Sequence, residues 1–364
     1  MPEVDLVRVV TFGAVIAVHA TSYSFIPRNP GGDAALMLLH YTRSAFFLLM
    51  GIVLVLSAER SGRTGSLRRR LTLVGAPYLT WSVIYLVLSW ATGGRNAPWD
   101  GAALALLTGT AWYHLYFLLV TMQFYVVQPA FLWLLRRTRR RPWTLLGASL
   151  VVGLLLTGWL HYGHSAPGPL GTYRAYAAQL LPTYQFLFVV GGVAALHLDA
   201  VLKWLVAHRR AVVAASVAGA VAMEALYFIS VATGIPAGTA VDPVQPALQI
   251  WAVILVAGLC AAATWWTEAR TPHLRWLNRA SDLSFGVYLL HPLLLAGLFL
   301  LPWASTPPPV VRAVVATALA LAGSLVVIDV ARRTPASLFL TGRPRRRSEE
   351  APAGRARAVP EGVT

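Results

Sequence analysis

Ten apolar stretches, each long enough to cross hydrocarbon, divide this chain, and that division removes most folds from consideration. A helical crossing takes ~20 mostly apolar residues. Such runs lie near 5–25, 34–57, 72–92, 114–135, 143–161, 177–198, 211–233, 246–266, 284–303 and 310–331. Backbone groups in hydrocarbon must bond within their own segment, so runs of this length are helices. Only 12% of the 364 residues are charged and 57% are hydrophobic, whereas a soluble domain carries about a quarter charged residues. The expected fold is all-α, a polytopic transmembrane bundle of about ten spans.

The breaks between the runs are of two kinds, and the kinds alternate. Gly/Pro-rich turns occupy 27–33, 93–100, 163–171, 234–246 and 305–309, the composition of chain reversals. The other breaks are basic: five arginines in 60–70, five in 136–141, three Lys or Arg in 203–210, three in 270–279, and eight from Arg332 onward. Loops rich in Lys and Arg stay on the cytoplasmic side of a membrane. The alternation predicts cytoplasmic basic breaks and, with ten spans, cytoplasmic termini at both ends.

A formal charge of +16 would suggest nucleic acid in a soluble protein. Topology accounts for it here, and no nucleic-acid partner is expected. The single cysteine, Cys260, lies in an apolar run; no internal disulfide can form, and it fits a packing role. The opening MPEVDLVR holds two acids and no basic excess, unlike a cleaved leader, so the first run is expected to stay as an anchor. Two units follow: an integral-membrane domain over 1–332 and a disordered, basic cytoplasmic tail over 333–364. The tail's Pro, Gly, Arg and Glu content cannot build a core and suits contact with anionic lipid. No internal repeat is visible. Abundant Ala, Val and Arg with the single lysine Lys203 fit a GC-rich bacterial genome, and the expected location is a bacterial plasma membrane.

Arg8 and His19 stand inside the first run. Eleven residues make about three turns, so both share one helix face ~16 Å apart. An ionisable side chain within a span is costly and marks a functional site by default. Taken alone, His19 fits either a general base or a packing histidine bonded to a neighbouring span.

The surrounding residues narrow that choice. Val4-Asp5-Leu6-Val7-Arg8, an apolar run and His19 resemble the opening L-D-G-L-R…H signature of the integral-membrane acyltransferase family three. Val4 replaces its Leu and Leu6 its Gly. Phe46-Phe47-Leu48-Leu49-Met50-Gly51 resembles the family's F-F-x-x-S-G, with Met50 for Ser. Arg68-Arg69-Arg70-Leu71-Thr72-Leu73 before Pro77-Tyr78 is similar to R-x-x-R before P-Y, with Leu73 in the second Arg position. His114-Leu115-Tyr116-Phe117-Leu118 is similar to H-L-W-F-L, with Tyr116 for Trp. Ser284-Phe285-Gly286-Val287-Tyr288-Leu289-Leu290-His291-Pro292 resembles S-Y-x-x-Y-L-x-H-P.

The resemblance implies a membrane O-acyltransferase that moves an acyl group, acetyl being expected, from cytoplasmic acyl-coenzyme A to a hydroxyl of a cell-surface glycan or glycosylated metabolite. His19 would be the catalytic base and Arg8 its partner. An imidazole titrating near ~6.5 in water suits a base at neutral pH. Arg70, with Arg69 and Arg68, would hold the donor, since guanidinium groups bind phosphate well; the last two serve equally as a topology cluster. His114 suits either an interfacial belt or the acceptor. His291, followed by a proline that frees a backbone carbonyl, suits a structural or pocket role beside Tyr288. Arg43 and Glu224 are expected near the cavity, pairing with each other or with Arg8, and His40 is a further polar residue within a span. Asp329 is expected to pair locally with Arg332 and Arg333. No metal site and no permanently bound cofactor are expected; the partners are lipid, acyl-coenzyme A and a sugar acceptor. A transporter or flippase for a glycan or lipid-linked sugar is the alternative, with a non-catalytic scaffold behind it.

Overall fold

The computed structural model of the chain describes residues 2–61, 66–164, 167–269 and 274–346. Every regular element among them is helical. The first half holds α1 (Pro2–Ser24), α2 (Pro30–Leu39), α3 (Tyr41–Ser61), α4 (Leu67–Ala91), α5 (Ala102–Thr108), α6 (Tyr116–Arg137) and α7 (Pro142–Tyr162). The second holds α8 (Pro169–Tyr176), α9 (Gln185–Leu196), α10 (Leu198–Ala232), α11 (Ala237–Ala240), α12 (Pro246–Ala269), α13 (Leu274–Phe299), α14 (Pro309–Ala331) and α15 (Ser337–Thr341). Nine helical segments among the described residues, α2 and α3 counting as one, are long and apolar enough to cross a bilayer. A bent pair around α8 and α9 passes the same test when its two arms are taken together.

Local chemistry sets where helices begin. Glu3 and Asp5 occupy the first turn of α1, where acids favour the helix dipole. Asn29 caps α2 by accepting from the Gly32 amide at 2.9 Å, with Pro30 in the first turn, a position where its missing N–H costs nothing. α1 then runs through the middle of the bundle, packed on α13 and α14 along one flank and on α12, α2 and α3 along the other. Val7, Phe12, Ile16 and Ala20 of α1 are buried.

α3 and α9 form the most extensive pairing, and glycine explains it. A Cβ on Gly191 would lie 2.1 Å from the Leu48 carbonyl, and one on Gly51 2.8 Å from the Phe188 carbonyl. Apolar helices in lipid gain association by such backbone approach. Gly51 of the Phe46–Gly51 stretch is thus a packing residue.

Helix ends from the basic breaks gather at one end of the bundle, the arginine-rich end. Ion pairs join Arg136 to Glu59 at 3.0 Å, Arg209 to Glu268 at 2.7 Å and Arg279 to Asp329 at 2.7 Å.

The structure departs from the sequence expectations in four places. The run at 177–198 is not one straight span: α8 and α9 meet at a 57° bend, because Leu180 is extended and Pro182 opens a new turn. α9 alone, 12 residues long, reaches only ~18 Å. The basic break at 203–210 is helical within α10, which bends at His208. The expected disordered tail starts as ordered chain. α15 packs on α4 and α13, the Trp81 indole donates to the Leu340 carbonyl at 3.1 Å, and Arg343 pairs with Asp282 at 2.8 Å. Residues 347–364 lie outside the described residues. Asp329 pairs with Arg333 at 2.6 Å and Arg279, while Arg332 turns to Asp282 at 3.1 Å.

Candidate active site

At the end of α1 away from the arginines, a cavity of about 480 Å³ opens between α1, the α2–α3 junction, the segment before α6 and α13. Its α1 wall runs from Val15 to Tyr23 and includes His19. Two aromatic rings hold the imidazole: Tyr113 at 4.4 Å and His291 at 5.4 Å between centroids. Tyr23, one turn beyond His19, also lines the cavity.

His291 is fixed by the backbone that its own neighbour disrupts. Pro292 lies inside α13 and has no N–H to offer the carbonyl four residues back, which is that of Tyr288. His291 Nδ1 lies 2.7 Å from this carbonyl oxygen. A carbonyl only accepts, so Nδ1 carries the proton and Nε2 keeps its lone pair. That Nε2 is buried and has no partner among the described residues.

His114 completes the group. It is buried, its ring lies 5.7 Å from that of His291 and 5.2 Å from that of Tyr288, and neither ring nitrogen has a partner among the described residues. The Tyr288 hydroxyl donates to the His114 carbonyl at 2.6 Å. Residues from the first span, the turn before α6 and α13 therefore meet at one place. Toward Arg8 the cavity ends on Phe46, Phe117 and Tyr288, with ring centroids 5.4–6.2 Å apart. Phe12 stands edge-on to Phe46 at 6.4 Å, one layer further along.

His19, Arg43, His114 and Tyr288, each picked from a separate stretch of sequence, line this cavity. Arg43 pairs with neither Glu224 nor Arg8. Its guanidinium stands 5.5 Å from the Tyr184 ring, and its Nε is buried with no partner among the described residues. Glu224 lies on α10, outside the cavity lining, because α10 packs its neighbouring face on α12 and α2.

Arg8 does not reach His19. It donates to the Ser281 hydroxyl at 3.0 Å and faces Asp5 at 3.5 Å, tying α1 to α13 at the arginine-rich end. Arg70 bonds Gln128 and lies 5.7 Å from the Tyr125 ring; Arg68 and Arg69 are exposed at the start of α4. Tyr113, Tyr116 and Tyr23 are cavity residues that sequence reasoning missed. Tyr23 follows His19 by four positions, which places both on one helix face, and that spacing was a usable signal.

Residues 1–329 match the acyltransferase domain that defines acyltransferase family 3. The chain belongs to that family. None of the curated proteins and none of the solved structures matches it. This family 3 member is a membrane acyltransferase, and its cavity sets an imidazole at the wall of a space of about 480 Å³ lined by aromatic rings.

Proposed function

We propose that the protein is an O-acyltransferase of a bacterial plasma membrane, with both termini cytoplasmic, moving acetyl from acyl-coenzyme A to a hydroxyl of a surface glycan or glycosylated metabolite. The observation that carries this reading is His19 on the wall of a cavity of about 480 Å³ in a chain of this family. An acceptor hydroxyl at His19 gives its proton to the imidazole as its oxygen forms a bond to the thioester carbonyl carbon. Collapse of the tetrahedral intermediate breaks the carbon–sulfur bond, and the proton passes to the departing thiolate. Balance requires nothing else. His291 and Tyr113, packed on the imidazole, hold its orientation.

The donor would enter from the arginine-rich end, where Arg68, Arg69 and Arg70 open α4 and present guanidinium groups to its phosphates, and its acyl-bearing arm would part the Phe46, Phe117 and Tyr288 rings to bring the thioester to His19. Arg8 serves that end of α1, ~16 Å from His19, by holding the helix against α13 for the donor. The test uses inside-out vesicles carrying the protein or its His19→Ala variant, fed radiolabelled acetyl-coenzyme A, with free acetate counted separately. Label in membrane glycan or added acceptor is expected from the native chain and lost in the variant at equal membrane content. Near-full transfer by His19→Ala removes the proposal; silence with every acyl donor favours a transporter.

A further inference from the structure

The cavity holds a charge that no carboxylate among the described residues pairs with directly. Arg43 is the only Lys or Arg among the residues lining it, and no Asp or Glu lines it. No ion pair involves Arg43 among the described residues, and its Nε is buried without a partner. Tyr184 and Tyr116 flank the guanidinium, and the Tyr116 hydroxyl bonds it, but neither is a carboxylate. The carboxylate that acts on it, Asp242, makes no ion pair with it and accepts the Val244 amide at 2.9 Å. The other basic groups at this end are already committed: Arg28 pairs with Asp33 at 2.6 Å, and Arg312 bonds the carbonyls of Ser24 and Ala304.

A guanidinium stays ionised in any protein environment, and a desolvated charge without a counter-charge is expensive. Structural arginines within spans are paired or bonded to carbonyls, as Arg312 is. Arg43 instead faces the space beside His19. We propose that the acceptor is an acidic sugar, whose single carboxylate Arg43 receives as a two-pronged pair while its hydroxyl lies at His19. One cation and no second positive group in the lining match one negative charge; a phosphate monoester would bring a surplus. The planar fork suits a carboxylate, and the tyrosine and phenylalanine walls suit the apolar faces of the sugar. This inference rests on the cavity being the acceptor site of the proposed function.

The test measures thermal unfolding of the purified full chain in lipid nanodiscs, followed by tryptophan fluorescence. Methyl glucuronide is titrated beside methyl glucoside, methyl galacturonide beside methyl galactoside, and methyl glucoside 6-phosphate as the dianion. The acidic member of a pair is expected to raise the unfolding midpoint at concentrations where the neutral member does nothing. Arg43→Gln weakens that half-saturation by about tenfold or more. Arg43→Lys, which keeps the charge and loses the fork, falls between, and covers the case in which the glutamine variant does not fold. No carboxylate-dependent shift in either pair, a shift retained in Arg43→Gln, or a stronger shift from the phosphate overturns the proposal. Transfer of label to the same glycosides is read separately. A carboxylate-dependent shift without transfer keeps the anion site and removes the acyl-transfer reading; equal transfer to both members of a pair does the reverse.

Discussion

The bond between His291 and the carbonyl freed by Pro292 makes a quantitative prediction. In the native chain Nδ1 of His291 is the donor at 2.7 Å to the Tyr288 carbonyl, in a place where His291 itself is fully buried. His291→Leu keeps the volume roughly constant and leaves that carbonyl without a donor, which costs about 1–3 kcal/mol. Pro292→Ala restores a backbone N–H at the position the helix would use. In that background the carbonyl is already satisfied, so His291→Leu should lose only its packing contribution. The two substitutions are therefore coupled by about 1–3 kcal/mol, and whatever the proline costs the helix on its own cancels in the cycle. Equilibrium unfolding of the four proteins in mixed micelles by titration with sodium dodecyl sulfate measures it. Effects that add to within about 0.5 kcal/mol would refute the reasoning. The contact of His291 with His19 is lost in both backgrounds and cancels in the cycle.

Two further outcomes follow from packing and charge. Gly191→Ala places a Cβ 2.1 Å from the Leu48 carbonyl, and neither backbone can yield without separating α3 from α9; a loss of ~3 kcal/mol or failure to insert is expected, read by detergent thermostability. Glu59→Ala with Arg136→Ala removes a half-exposed pair at the membrane surface and should change the same midpoint by less than ~1 kcal/mol.

The helical, membrane-spanning fold and the family were legible because both are written locally. A run of apolar residues bounded by arginines is its own evidence, and the Arg8–His19 spacing sits within one helix. What was hidden depends on distance in sequence. His114 and His291 are 177 positions apart, and their segments meet only in the fold, through the hydroxyl of Tyr288 on the His114 carbonyl and the ring contacts beside it. Arg43 was visible as a charge inside a span, but pairing with Glu224 was a guess about which helices meet; α10 packs on α12 and α2, and Glu224 does not line the cavity. The break before α9 was signalled by Pro182 inside an apolar run, and hydropathy averaged over a window conceals a single proline. The helix through Lys203 and Arg210 was obscured for the opposite reason: charge ends an apolar run without ending a helix.

The rings of Phe12, Phe46, Phe117 and Tyr288 separate a cavity open at one end of the bundle from the charged groups at the other. Seen as an electrical element, that layer is insulation. A membrane that stores energy as an ion gradient is short-circuited by any continuous thread of water, and a pocket large enough for a substrate brings water deep among the helices. Aromatic rings set edge-on and tilted to one another, with the Tyr288 hydroxyl already committed to the His114 carbonyl, offer that thread almost nothing to bond to, so the chain can carry a substrate-sized cavity within the bilayer and still resist leakage.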